Sequence, residues 1–310
     1  MALKHNEIYL MDCKEGLKQI SDQSIDFICV DLPYGITARN KWDNILPMNE
    51  YIVIENKYIE LEQWLKKTKR GTYKIRHKEF PTMEKRILYF EKNKCPGLWQ
   101  HYERILKPNG AICLFGVGLF TAYLMYSNPN WWRYNLIWKK ESGTDFLNAN
   151  RKPMRIHEDI CIFYKHLPTY HPQKTTGHSP VHAYTKHTSD GTNYGRTKLK
   201  MSGGGSTERY PTTILEYPTD KQKEHFHPTQ KPLDLIKNLI RTYTNEQDLC
   251  LDHCSGSGTL AVAAFETNRN FICMENNETY YNDSRKRLKQ HGFSFEKETI
   301  TMKLLYEQVR

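Results

Sequence analysis

Apolar positions along the chain fall into short runs separated by stretches with helical spacing. Ile8–Met11 has the length and composition of a strand and stops at Asp12, ahead of a short helical piece reaching Ile20. Ile25–Val30 is an apolar run of the kind expected in a strand buried on both faces. Leu98–Leu106 reads as helix, and Lys107-Pro108-Asn109-Gly110 carries turn chemistry that would end it. Strands are predicted at Ala111–Phe115, Tyr134–Trp138 and Asp159–Tyr164. Farther on come a helix (Leu233–Tyr243), a strand (Leu249–Asp252), a helix (Thr259–Thr267), a strand (Phe271–Met274) and a helix (Thr279–Gln290). Seven strands with interleaved helices predict an open α/β sheet.

Two segments interrupt that pattern. Residues 51–95 are rich in Lys, Glu and Tyr at helical spacing and read as an inserted helical element. Residues 165–226 are rich in Thr, His, Tyr, Gly and Pro, and their run Ser202-Gly203-Gly204-Gly205-Ser206 reads as a mobile loop. The charge lies in the same two places. Of a net +10, residues 51–95 supply +6 and residues 165–226 supply +4, while the remaining segments cancel. Positive charge localised in this way is the footprint of a phosphate-backbone binder. Solvated helix faces would give 51–95 the same composition.

Other classes are disfavoured. No apolar run reaches the ~20 residues of a membrane span, and the first residues lack the apolar core of a signal peptide. No membrane association is expected, and the cytoplasm of a prokaryotic or phage-infected cell is the expected location. There are eight cysteines and no Cys-x-x-Cys; Cys29, Cys113, Cys161, Cys250 and Cys273 fall in strand-like runs, where a thiol behaves as a small hydrophobe. Eight of the 13 histidines lie between His157 and His227 without cysteine neighbours or zinc-ligand spacing, so no metal is expected.

Chemistry concentrates at two strand ends. The strand at Leu249–Asp252 runs into Asp252-His253-Cys254-Ser255-Gly256-Ser257-Gly258-Thr259, whose glycines allow the close backbone approach that a nucleotide-like ligand needs. Nineteen residues after Gly256, Glu275 ends the next strand, where a carboxylate can accept both ribose hydroxyls of an adenosine. The same turn serves NAD, but a dinucleotide fold needs further βαβ units, and 35 residues follow Glu275. The absence of Gly-Lys-Ser/Thr excludes a P-loop. What remains is a circularly permuted cofactor domain, completed by strands from the N-terminal half.

The strand Ile25–Val30 ends at Asp31-Leu32-Pro33-Tyr34. A carboxylate, a rigid turn and an aromatic ring thus sit at a carboxyl-terminal strand tip, where open α/β sheets bind ligands. An exocyclic base nitrogen is a poor nucleophile because its lone pair is delocalised. Hydrogen bonds from its N–H groups to Asp31 and to a backbone carbonyl would favour an sp³ nitrogen with the lone pair free. Tyr34 can stack on a base taken out of its duplex. In isolation, Asp-x-Pro-Tyr is as easily a capping turn with a packed tyrosine.

Taken together, these motifs resemble the amino-group DNA methyltransferases of the beta arrangement, in which the catalytic motif comes first and the cofactor motif last. The family's usual Asp-Pro-Pro-Tyr stands here as Asp31-Leu32-Pro33-Tyr34, and its Asp-Pro-Phe-x-Gly-Ser-Gly-Thr as residues 252–259. His227-Pro228-Thr229-Gln230-Lys231-Pro232 matches a further signature at a helix start, where Lys231 and helix N–H groups can hold a methionine carboxylate. The likeness covers roughly two-thirds of the chain and has no counterpart for 51–95.

The resemblance implies a circularly permuted, Rossmann-like, seven-stranded methyltransferase sheet. Its catalytic half would be 1–50 and 96–164, interrupted by the basic insertion at 51–95. Residues 165–226 would be the target-recognition region and 227–310 the cofactor-binding half. The implied methyl donor is S-adenosylmethionine, held by Asp12, Cys13, Asp31, Gln230, Lys231, Asp252, Cys254, Ser255, Gly256, Ser257, Gly258, Thr259, Glu275 and Asn276. Catalysis would rest on Asp31, Leu32, Pro33 and Tyr34, with Leu32 contributing its backbone carbonyl. The implied substrate is double-stranded DNA, gripped at phosphates by Lys66, Lys67, Lys69 and Arg70 and read at base edges by Arg196 and Arg209. The family also allows two protein partners, a second copy of the chain and a cognate restriction endonuclease.

Aspartate at the first tetrapeptide position is commoner in adenine-N6 enzymes of this family, and serine in cytosine-N4 enzymes, so N6 of adenine is the expected target and N4 of cytosine the alternative. Methyltransferases acting on RNA or a glutamine amide place the cofactor motif first. A DNA-binding module with a degenerate cofactor fold would not be expected to keep Asp31, Tyr34, Gly256, Gly258 and Glu275 intact.

Overall fold

The structure is a computed structural model and describes residues 2–34, 46–54, 57–69, 82–186, 201–220 and 230–295. In chain order the elements are β1 (Glu7–Leu10), α1 (Cys13–Gln19), β2 (Ile25–Val30), β3 (Tyr51–Ile54), β4 (Lys57–Glu60), α2 (Leu61–Lys69), α3 (Met83–Asn93), α4 (Leu98–Ile105), β5 (Leu106–Gly116) and α5 (Leu119–Ser127). They continue with β6 (Trp132–Thr144), β7 (Arg155–Phe163), β8 (Tyr184–Lys186), β9 (Met201–Gly203), β10 (Ile214–Glu216), α6 (Leu233–Tyr243), β11 (Leu249–Asp252), α7 (Thr259–Glu266), β12 (Asn270–Glu275) and α8 (Glu278–Gln290).

Two compact units are present. In the larger, residues 1–170 and 214–310, eight strands form one sheet in the order β1-β12-β11-β2-β5-β7-β6-β10, and β3 and β4 pair separately. All neighbours pair in parallel except at β7, which runs antiparallel to both β5 and β6. The late strands β11 and β12 lie between β1 and β2, so the N-terminal strands complete the sheet and the expected permuted order is present.

The apolar strand runs follow from burial on both faces. Phe27 and Cys29 of β2, Cys113 and Phe115 of β5, Ile160 and Ile162 of β7, and Phe271 and Cys273 of β12 join α6, α7 and α8 in one core. Their alternating neighbours Ile28 and Val30, Ile112 and Leu114, Cys161 and Phe163, and Ile272 and Met274 join α1, α4 and α5 in the other. Successive side chains point to opposite faces, so a sheet covered on both sides requires apolar residues at nearly every position.

Four features differ from the sequence expectation. An eighth strand, β10, pairs with β6 at the sheet edge, where Ile214 and Glu216 are exposed and leave no apolar run to read. Residues 107–110 form no chain-reversing turn; β5 starts at Leu106, and its irregular register against Ile25 and Phe27 absorbs the Pro-Asn-Gly sequence. The insertion opens with an antiparallel hairpin, β3–β4, before α2 and α3, and its own core is Ile52, Ile59, Trp64 and Phe90. In the smaller unit, residues 171–213, part of the glycine run is ordered: Ser202 and Gly203 pair with Thr185 and Tyr184 in β8, and Gly204 and Gly205 turn the chain with positive φ. That unit is also tied by a bridge between Thr175 and Arg209.

Asp26 fastens the amino-terminal edge of the sheet, away from the strand tips that carry the motifs. Lys107 Nζ donates to both its carboxylate oxygens, at 2.7 and 2.8 Å, and the Leu249 N–H donates to Oδ2 at 2.9 Å, joining β2 to β5 and β11. Asp26→Ala is expected to lower stability by about 1.5–3 kcal/mol, the worth of a charge-assisted bond, and to speed hydrogen exchange at the Leu249 amide. Urea unfolding and amide exchange test this; an unchanged midpoint would contradict it.

Candidate active site

Because β1, β12, β11 and β2 are adjacent and parallel, the segments that follow them emerge side by side at one edge. The Met11 N–H donates to the Glu275 carbonyl at 3.0 Å, and the Ser255 N–H to the Met274 carbonyl at 2.9 Å, so the three tips of β1, β12 and β11 are held together. Asp12 caps α1, accepting from the Lys14 N–H at 2.8 Å, and Cys13 is the buried first residue of that helix.

The glycine loop is built on Glu275. Its Oε2 accepts the Gly256 N–H at 2.8 Å and its Oε1 the Asn277 N–H at 2.8 Å. Burial raises its pKa against the pull of those N–H groups. Gly256 and Gly258 take φ of 47° and 71°, and a Cβ on Gly258 would lie 2.9 Å from the Ser284 Cβ. Both positions favour glycine for its left-handed conformation, and the second also for lack of room. Arg287, buried in α8, donates to the Ser257 carbonyl and to the Ser257 and Thr259 hydroxyls, fixing the loop from below. Burial pushes the Asp252 carboxyl up to about 7, although it accepts the Cys254 N–H at 3.0 Å. Asn276 is exposed at the tip of β12.

The Asp31 carboxylate stands at the tip of β2, 24% exposed. Tyr34 Oη donates to its Oδ1 at 2.6 Å and Lys231 Nζ to its Oδ2 at 2.5 Å. Leu32 is buried in the core, Pro33 is half-buried, and the Tyr34 ring lies 4.9 Å from Phe120. Lys231 also meets Glu158 Oε2 at 3.3 Å, and Glu158 Oε1 accepts from Lys140 Nζ at 2.5 Å. A chain of alternating charge therefore runs Asp31–Lys231–Glu158–Lys140. Burial drives the Lys231 pKa down, but the two carboxylates outweigh it and hold the ammonium above its ordinary value. Burial likewise pushes Glu158 up, and Lys231 and Lys140 reverse the sign, leaving it below the ordinary carboxylate range.

The predicted site residues thus divide. Asp12, Cys13, Asp31–Tyr34, Gln230, Lys231, residues 252–259, Glu275 and Asn276 all belong to the larger unit, and their carrying segments follow adjacent strands or precede α6. Lys231, expected to hold a ligand carboxylate, is engaged with two carboxylates of the protein itself. His227–Thr229 and Arg196 lie outside the described residues, as do Arg70 and the side chains of Lys66, Lys67 and Lys69. Arg209 is partly buried, and its guanidinium donates to the carbonyls of Ser179, Ser206 and Glu208, which makes it a brace of the 171–213 unit.

Sequence reasoning missed Glu158, Lys140 and Phe120; a charge beside an apolar strand run was the available signal for the first two. It also set metals aside, whereas the fold brings Cys13, His253 and Cys254 together.

Among the described residues, three buried side-chain oxygens have no hydrogen-bond partner: Ser255 Oγ in the glycine loop, Gln230 Oε1 beside Lys231, and Glu158 Oε2, which keeps its ion pair with Lys231. Orphaned buried acceptors and donors at one edge fit a polar ligand that supplies the missing bonds. With the Glu275 carboxylate and the left-handed glycines, the donor set suits an adenosine-bearing ligand next to Asp31.

A DNA methylase family model matches residues 25–286. The Type II methyltransferase M.HindIII of Haemophilus influenzae is 25% identical over 317 aligned residues, spanning 91% of this chain and 94% of its own. M1.MboII of Moraxella bovis, also a Type II methyltransferase, is 26% identical over 301 residues, spanning 93% and 98%. Among solved structures, the cytosine-N4-specific PvuII DNA methyltransferase shares the fold with a TM-score of 0.56 at 14% identity, over 99% of this chain and 92% of its own. An M1.HpyAVI–SAM complex matches with a TM-score of 0.50 at 19% identity, over 91% and 98%.

Removing the central ammonium tests the charge chain. Lys231→Met leaves two carboxylates facing each other and is expected to cost about 3–5 kcal/mol near neutral pH. The depressed pKa of Glu158 contributes stability above its unfolded value, and this is lost as pH falls through the folded one. In the variant Glu158 loses one of the two ammonium groups that hold its pKa down, so its folded-state pKa rises and the folded state takes up a proton at higher pH than in the wild type. The deficit should therefore shrink as pH is lowered towards about 4. Urea unfolding at both pH values reads this out; a deficit independent of pH would contradict it.

Proposed function

The chain belongs to the DNA methylase family, and on that premise we propose that it methylates N6 of an adenine taken out of duplex DNA. The methyl donor is S-adenosylmethionine, which supplies an electrophilic methyl group on its sulfonium. The observation that carries the reading is the partly exposed Asp31 carboxylate, set at a strand tip next to the glycine loop and braced by Tyr34 and Lys231.

From the described residues each Asp31 oxygen accepts one bond, which leaves it a further lone pair. An incoming amino group can donate one N–H there and the other to the Leu32 carbonyl, which frees the nitrogen lone pair for in-line attack. Lys231 and Tyr34 fix the carboxylate so that little reorganisation is needed at the moment of reaction. The Tyr34 ring, backed by Phe120, offers an aromatic face to a flipped base. Glu275, Ser255 and Gln230 hold the donor, with Asp12 and Asp252 flanking them. The surplus proton on the methylated nitrogen leaves to solvent through the open side of Asp31.

Aspartate at the first tetrapeptide position favours adenine. The second reading is N4 of cytosine, favoured by the likeness of fold to the cytosine-N4-specific PvuII enzyme. We assign target reading to the 171–213 unit and its flanks, phosphate grip to the basic insertion, and a cognate endonuclease as biological partner, in keeping with the Type II relatives. Arg209 then acts by shaping the reading unit rather than by touching a base.

Asp31→Ala should lower methyl transfer by at least about 100-fold, the scale of losing one preorganised polar partner, while S-adenosylmethionine binding stays nearly unchanged. Nucleoside mass spectrometry of methylated DNA should give N6-methyladenine. N4-methylcytosine would replace the adenine assignment, and normal turnover by a folded Asp31→Ala protein would remove Asp31 from the chemistry.

A further inference from the structure

Cys13 and Cys254, expected from the sequence to line the cofactor, form with His253 a cluster of ligating side chains to which the reaction above assigns no chemical step. Cys13 begins α1 after β1, and His253 and Cys254 follow β11, with β12 between the two strands. The two thiol sulfurs and one ring nitrogen all lie within 4.8 Å of one another, and His253 Nδ1 is 3.4 Å from Cys254 Sγ. Around a tetrahedral zinc ion, with Zn–S about 2.3 Å and Zn–N about 2.0–2.1 Å, such atoms would be spaced by about 3.5–3.8 Å. The observed separations, 3.4 Å for His253 Nδ1–Cys254 Sγ and no more than 4.8 Å for the other pairs, are close to that spacing.

The surroundings also suit a metal. The other ring nitrogen, His253 Nε2, lies 2.7 Å from the Tyr102 hydroxyl. If that nitrogen carries the proton and Tyr102 accepts it, Nδ1 presents its lone pair to the two sulfurs, the arrangement metal-ligating histidines usually have. Cys13, His253 and Tyr102 are buried, whereas Cys254 is partly exposed and opens one way in. Leu17, Ile28 and Tyr102 belong to the apolar cluster that contains Cys13 and packs against Cys254. Two thiols and an imidazole in an apolar wall select a thiophilic cation over magnesium or calcium.

We propose that Cys13, His253 and Cys254 form a three-ligand site for a thiophilic divalent cation of the zinc type, with the fourth position open. Each thiol releases its proton to solvent as its sulfur ligates the ion. Bound there, the ion ties the first turn of α1 to the segment leading into the glycine loop. The proposal rests on ligand geometry, and two of its ligands, Cys13 and Cys254, also border the expected cofactor edge.

Cobalt(II) is the probe, because a thiolate ligand gives it a near-ultraviolet charge-transfer band that oxygen and imidazole ligands do not. Metal-stripped, reduced full-length protein is titrated with Co²⁺ and then with Zn²⁺. One equivalent of Co²⁺ should raise the band and Zn²⁺ should abolish it. Cys13→Ser and Cys254→Ser should each weaken the band, and the double variant should lose it. Tyr102→Phe, which removes only the acceptor behind His253, should reduce affinity about 10- to 100-fold. Circular dichroism identifies the variants that fold, and the wild-type and Tyr102→Phe titrations decide the matter if the cysteine variants do not. No thiolate band in the wild type, a band that persists in the double variant, or unchanged affinity in Tyr102→Phe would overturn the proposal.

Discussion

An ammonium group as buried as that of Lys231 can exist in a fold only if charge of the opposite sign surrounds it. The desolvation cost of such an ion is several kcal/mol even after relaxation. Here it is met by two carboxylates, at 2.5 Å from Asp31 and 3.3 Å from Glu158. The three charged groups belong to segments far apart in sequence: Asp31 at the tip of β2, Glu158 near the start of β7, and Lys231 in the stretch that leads into α6. Satisfying one charge therefore fixes three pieces of chain. Because β7 runs antiparallel to its neighbours, its beginning lies at the edge where the other strands end, which lets Glu158 reach the group.

The sheet order adds the second half. Placing β11 and β12 between β1 and β2 sets the glycine loop directly beside Asp31, although more than 200 residues separate them. The loop in turn depends on Glu275, whose carboxylate closes onto the Gly256 and Asn277 N–H groups. The glycine loop and the Asp31 carboxylate thus share one edge because of strand order, and each is held there by polar bonds.

Much of this was legible in the sequence, for physical reasons. Strands covered on both faces must be apolar throughout, so β2, β5, β7, β11 and β12 announced themselves. Motif residues such as Asp31-Leu32-Pro33-Tyr34 and 252–259 are contiguous, and their backbone demands are written in prolines and glycines. The edge strand β10 is three residues long and half exposed, so it carries no such signal. In α5 the sequence Leu119–Ser127 is apolar almost all round, which hides its helical period. The β3–β4 hairpin sits in a lysine- and glutamate-rich context that reads as helix. Contacts such as Lys231–Glu158, Tyr34–Phe120 and Cys13–Cys254 depend on the tertiary arrangement, and no local pattern encodes them.

On the proposed reading, S-adenosylmethionine occupies the edge formed by the tips of β1, β12, β11 and β2, with its reactive methyl turned towards Asp31. A crystal structure of the protein with S-adenosylmethionine measures this directly. The ribose hydroxyls are expected on the Glu275 carboxylate, the cofactor bonded to Ser255 or Gln230, and the sulfonium methyl facing Asp31. A cofactor bound away from that edge, or lying there with its methyl turned from Asp31, would contradict it.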